Sequence, residues 1–118
     1  MSKSLVYNDD HDLFRKVVAE FVSKEITPNV DEWDEAETFP RDLYRKAGAI
    51  GLFGIGFDAE YGGMGSHDAL AFVILSEELA RCGAGGVPAS LFSNYIGAPP
   101  IQRGGSDDVK AEILPAML

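Results

Sequence analysis

The stretch 39-FPRDLYRKAGAIGLFGIGFDAEYGGMGSHDALAFVILSEELAR-81 decides the fold. Phe39-Pro40 opens a helix, because the N–H that proline lacks would be unpaired in a first turn anyway. Leu43, Tyr44, Ala47 and Ile50 give that helix an inward face, and Gly51 is a natural left-handed stop. Residues 52–64 carry glycines and no helical period, which predicts a loop that crosses the domain. Ser66 is placed to cap the next helix, which is expected to extend to about Arg81 or Cys82. Its first half, residues 69–75, is apolar on every side, so the helix is expected to be the central element of a bundle.

Upstream, Phe14, Val17, Val18, Phe21 and Val22 repeat at three- and four-residue intervals with polar residues between them, the pattern of an amphipathic helix. The stripe resumes at Ile26, Val30 and Trp33 beyond Pro28. One kinked helix reaching about Glu35 is the expectation, and two helices broken at Thr27-Pro28 are the alternative. Downstream, Gly83, Gly85 and Gly86 end the third helix. Pro88 then starts a fourth through Leu91, Phe92, Tyr95 and Ile96, expected to break at Gly97 and Pro99-Pro100. Asp107 begins a fifth, with Val109, Ile113, Leu114 and Met117, that Pro115 is expected to interrupt near its end. No convincing period-two pattern occurs. The prediction is an all-α, orthogonal bundle of about five helices, forming one domain over residues 1–118.

The composition, 46% hydrophobic and 25% charged in 118 residues, fits one compact core. A net charge of −9 repels phosphate backbones and anionic lipid, which argues against nucleic-acid binding. Cys82 is the only cysteine, so no intrachain disulfide exists. Residues 1–12 lack the basic and apolar pattern of a targeting segment, and the expectation is a cytoplasmic location. The longest apolar run, residues 69–75, is far below the roughly 20 residues of a membrane span.

The motifs that could carry chemistry each have a plainer reading. Gly62-Gly63-Met64-Gly65 could cradle an anion, but it lacks the Lys-Ser/Thr of a P-loop and follows no strand, so a tight structural turn is expected. Asp31, Glu32, Asp34, Glu35 and Glu37 read as a solvated face, since only residues three or four apart share a side of a helix. Glu77-Glu78 is the most conspicuous carboxylate pair, with one member forced inward or sideways. A salt bridge from Glu77 to Arg81 is expected, and a catalytic base is the rival reading. His11 and His67 stand near helix starts without ligands at metal spacing, which suits capping or surface roles. Leu91, Phe92, Tyr95 and Ile96, mixed with Ser93 and Asn94 ahead of Gly97, suit a wall facing a cleft. The same spacing also suits plain core packing.

Taken in order, Phe39-Pro40, Gly51-Leu52, residues 60–65, residues 77–81, Gly97, Pro100-Ile101, Gly104-Gly105, Lys110 and Leu114-Pro115 resemble the amino-terminal helical domain of the acyl-CoA dehydrogenase family. Single blocks are weakly specific; the ordered set, covering the chain from about Leu13 onward, is strongly so. The resemblance implies a flavoenzyme that removes hydrogens from the alpha and beta carbons of an acyl-CoA thioester, with FAD as hydride acceptor. It also implies that the family's middle strand domain and carboxy-terminal helical domain, which supply the catalytic base and most flavin contacts, lie outside these residues. No catalytic, cofactor-binding or metal residue is therefore assigned, and the chain alone is expected to bind neither FAD nor acyl-CoA tightly. Matched on Gly97 and Pro100-Ile101, Phe92 and Ile96 fall where side-chain bulk sets acyl-chain length, with Leu91 and Tyr95 beside them as substrate-wall residues. An isolated copy would expose apolar area, so homo-oligomerisation is expected. Flavin-dependent monooxygenases, nitroalkane oxidases and a non-enzymatic helical interaction module are the alternative readings.

Overall fold

A computed structural model describes residues 5–65 and 67–118, so the Ser66 cap lies outside the described residues. In chain order the α-helices are α1 (Asp9–Phe21), α2 (Val30–Ala36), α3 (Asp42–Ala49), α4 (Ala69–Ala80), α5 (Gly86–Leu91), α6 (Asn94–Gly104) and α7 (Asp107–Met117). No strand occurs among the described residues, and the all-α class is borne out. The five expected rods correspond to α1 with α2, then α3, α4, α5 with α6, and α7. The chain divides into two compact units, one of residues 1–39 with 69–88 and one of residues 40–68 with 89–118.

In the first unit, α1 starts on a capping box: the Asn8 side chain accepts from the His11 N–H, and the Asn8 N–H donates to His11 Nδ1, each at 3.0 Å. Nδ1 is thus held as an acceptor. The capping role expected of His11 is what the structure shows, with the ring buried and edge-on to Tyr7.

The kinked rod is also present, and its kink has a definite form. Pro28 has no amide to offer the Lys24 carbonyl. The chain widens into a π turn over Val22–Ile26, in which the Thr27 N–H reaches back to Val22 O, and then tightens into a 3-10 turn over Thr27–Asn29 before α2. The Asn29 side chain donates to the next carbonyl, Glu25 O, at 3.4 Å. Val18, Val22, Ile26 and Val30 are all buried. A four-residue spacing walks roughly 40° around an ideal α-helix at each step. The wider π turn unwinds part of that drift, so one stripe still faces inward on both sides of Pro28. The acids of α2 are exposed, as expected of a solvated face, and no group of three potential metal ligands exists among the described residues.

α1 packs on α4, and an ion network centred on buried Glu78 joins them. Arg15 Nη1 lies 2.9 Å from Glu78 Oε1 and 3.0 Å from Glu77 Oε2, while Arg81 Nε lies 3.3 Å from Glu78 Oε2. The expected Glu77–Arg81 bridge is corrected: Arg81 pairs with Glu78 three residues earlier, because Glu78 is the member turned inward and Arg15 has taken Glu77. The guanidinium of Arg15 is held above its usual range, first by its hydrogen bond to Glu78, and it also stacks over the Tyr7 ring at 5.3 Å.

Replacing Glu78 with Ala is expected to cost about 2–3 kcal/mol in urea unfolding. This is below the roughly 3–5 kcal/mol of a fully enclosed pair, because Arg15 keeps Glu77 and Arg81 reaches solvent. A loss under about 0.5 kcal/mol would mean that the network is ornamental. α4 itself is not enclosed all round, contrary to the expectation for a central element. Ile74, Leu75, Glu78 and Leu79 are buried, but Ala69, Val73, Ser76 and Ala80 form an exposed stripe on the opposite side.

In the second unit, α3 turns Leu43 and Ala47 inward. Tyr44 and Ile50, expected to share that face, are 41% and 40% exposed, since they lie at its edge and beyond its last turn. Gly51 ends α3 with φ +80°, as expected. The loop that follows is itself core: Leu52, Phe53, Ile55 and Phe57 are buried. Phe57 packs in a cluster with Ala98 of α6 and Leu114 of α7, bordered by Tyr61, Tyr95, Ile101 and Met117.

Two proline expectations fail. α6 runs through Pro99-Pro100 to Gly104, and α7 runs through Pro115 to Met117. In α6 the break falls earlier, at Phe92 and Ser93 between α5 and α6. The helix survives two missing amides because Ala98 is wholly buried in the cluster and side chains at both ends of α6 are anchored elsewhere. In α7 only one amide is lost, close to the end, and Leu118 N–H still reaches Leu114 O.

Candidate acyl-wall helix and its anchors

A buried loop leaves main-chain N–H and C=O groups that must find partners. Here they come from α6. The Asn94 side chain donates to Phe53 O at 3.2 Å. The Tyr95 hydroxyl donates to Leu52 O and accepts from the Ile55 N–H at 3.1 Å. Gln102 closes the far end, accepting from the Asp58 N–H and donating to Gly56 O, both at 3.0 Å. Tyr95 and Gln102 stand seven residues apart and so share a face of the helix. Five main-chain groups of the loop are thereby satisfied by three side chains, and α6 is fixed in register along the loop.

Burial pushes the Tyr95 phenol well above its ordinary value of 10.0, with the Ile55 N–H opposing in part. Asn94 Oδ1 is enclosed without a hydrogen-bond partner, a penalty of about 1–3 kcal/mol that its amide's bond to Phe53 offsets in part. Rings extend the anchoring: Tyr44, Phe53, Phe92, Tyr95 and Phe57 form a continuous chain with centroid separations of 5.3–6.3 Å.

The opposite side of α6 is open. Ile96 is 78% exposed on a helix that its other face holds in place. Of the four residues expected to line a substrate wall, Ile96 therefore points to solvent, Phe92 is buried between Phe53 and Tyr95, and Tyr95 spends its hydroxyl on the loop. Leu91 lines a cavity of about 390 Å³ together with Tyr44, Arg45, Phe53, Asn94 and Met117, among others. The anchoring roles of Asn94 and Gln102 were not visible in the sequence. Their signal is the polar set Asn94, Tyr95 and Gln102 on one side of an otherwise apolar helix.

The glycine turn presents no anion cradle. Its amides are committed internally, Gly62 N–H to Ala59 O, Gly63 to Asp58 O, Met64 to Gly54 O and Gly65 to Phe57 O, at 2.9–3.0 Å. The pyrophosphate of a dinucleotide would find no donors there, so the turn does not fit the group and no flavin contact is assigned to it. His67 Nε2 stands 3.2 Å from Asp58 Oδ1 at the surface.

Residues 8–118 match the family model described as acyl-CoA dehydrogenase, N-terminal domain. Over 106 residues the chain is 38% identical to the short-chain specific acyl-CoA dehydrogenase of Clostridium acetobutylicum, covering 89% of this chain and 27% of that protein. It is 34% identical over 115 residues to the 3-(aryl)acrylate reductase of Clostridium sporogenes, covering 97% and 30%. Among solved structures, a Mycobacterium smegmatis protein described as an acyl-CoA dehydrogenase superposes with a TM-score of 0.86 at 34% identity, over 97% of this chain and 30% of that one. The chain thus spans less than a third of the length of these relatives. With the ordered glycine and proline blocks, the helical class and the match over nearly its whole length all in agreement, the chain belongs to the acyl-CoA dehydrogenase family, as its amino-terminal domain.

Proposed function

We propose that this domain serves an FAD-dependent α,β-dehydrogenation of acyl-CoA thioesters, and that its part is to furnish a wall of the acyl pocket. The observation that carries the reading is Ile96. A large aliphatic side chain stands exposed on a helix whose register three anchoring side chains hold, a placement suited to measuring a substrate's length. Phe92, Tyr95 and Leu91 support it from behind and beside. FAD supplies the hydride acceptor when bound, and its contacts are proposed to come chiefly from parts of the enzyme other than residues 5–118. The proton-abstracting carboxylate is likewise proposed to lie elsewhere, since Glu78 is committed to Arg15 and Arg81.

No helix among the described residues is long and apolar enough to cross a membrane. A cytoplasmic location and a homo-oligomeric assembly are further parts of the proposal. The latter is supported by exposed Leu13 and Val17 on α1 and Val73 on α4.

The test is a chimera in which this chain replaces the corresponding domain of the Clostridium acetobutylicum relative, assayed by flavin bleaching with acyl-CoA esters of increasing length. Ile96→Trp is expected to shift preference toward shorter chains, with kcat/KM for the longest accepted ester falling about tenfold or more. A flavin-loaded chimera whose length profile ignores Ile96→Trp, Ile96→Ala and Phe92→Ala would remove the wall reading.

A further inference from the structure

The cavity of about 390 Å³ in the second unit has a chemical character of its own. Tyr44 and Phe53, stacked at 6.3 Å, with Leu91 and Met117 give it an aromatic and aliphatic body, and Ser93 and Asn94 also line it. Arg45 also lines it, an exposed guanidinium with no hydrogen bond or ion pair among the described residues, while neighbouring Lys46 is engaged by Asp42 at 3.6 Å. In a chain of net charge −9, an uncompensated cation beside an apolar hollow is a point of local charge complementarity for an anion.

We propose that this cavity binds an amphipathic monocarboxylate, its apolar body of about ten carbon atoms lying against Phe53, Leu91 and Met117 and its carboxylate meeting Arg45. The site shares Leu91 with the proposed acyl wall but does not include Ile96, and it does not depend on the acyl-wall reading. Asn94 Oδ1 takes no part, because it is sealed from solvent.

A ligand of about twelve non-hydrogen atoms at roughly 0.3 kcal/mol each gives a dissociation constant on the order of a few millimolar. An exposed Arg–carboxylate contact adds a factor of about three. The probe is phenylbutyrate, followed by the methyl NMR signals of Leu91 and Met117. Saturable shifts are expected, weakened about threefold by Arg45→Gln, while phenylbutanol binds equally to both chains. No saturable shift up to about 20 mM, equal binding of acid and alcohol to the parent chain, or tighter binding of phenylbutylamine would each overturn the proposal.

Discussion

Gly63→Ala is expected to destabilise the chain by about 3 kcal/mol or more in urea unfolding, the largest effect of any single methyl added to this fold. A Cβ at Gly63 would lie 2.3 Å from the carbonyl oxygen of Phe57 and 2.5 Å from its carbonyl carbon. Both are main-chain atoms, and no rotamer change can move them. Phe57 cannot retreat either, because its ring is buried against Ala98 and Leu114. Gly62 is the control. Its φ of +94° strains any other residue, but an added Cβ there meets nothing within 4 Å. Gly62→Ala should cost only about 1 kcal/mol. Equal effects at the two positions would show that the loop yields and that the contact between residues 57 and 63 is soft.

Tyr95→Phe should cost about 2–4 kcal/mol, because one lost hydroxyl leaves both Leu52 O and the Ile55 N–H without their partner inside the fold. The same variant carries a pH signature. With the native phenol held above its ordinary value of 10.0, the unfolded chain ionises first as pH rises and then binds fewer protons than the native one. Stability from this group is therefore complete below pH 10.0 and falls above it, by at most about 1.4 kcal/mol per pH unit. Unfolding curves of parent and Tyr95→Phe chains should accordingly converge above pH 10 and run parallel below it. A gap that stays constant through pH 11 would mean that the hydroxyl is solvated in the native state.

These two positions also mark where sequence reading stops. The stripe through Val18, Val22, Ile26 and Val30 is legible because a helix repeats its own period, and even the bend at Pro28 follows from one missing amide. The loop over residues 52–58 has no period. Its burial depends on Asn94, Tyr95 and Gln102, some forty residues later in the chain, and nothing in the loop's own pattern points to them. Tyr95 reads as a cleft residue because it is large and sits among Leu91, Phe92 and Ile96, and local pattern does not give the further role of its hydroxyl on the loop backbone. Local grounds alone predict a break at Pro99 and Pro100. Burial of Ala98 and the anchoring of Gln102 outweigh the two lost hydrogen bonds. Ile96 is the reverse case: a match to family spacing singled it out, and an inward-facing apolar period would have placed it in the core.

The role proposed for this polypeptide is to shape a substrate pocket for chemistry whose cofactor is held by other segments. The most direct measurement is a fluorescence titration of FAD with the purified chain. No saturable binding is expected into the micromolar range. Stoichiometric capture of FAD with a sub-micromolar dissociation constant would contradict it, because residues 1–118 would then contain a flavin site that the committed amides of the glycine turn do not provide.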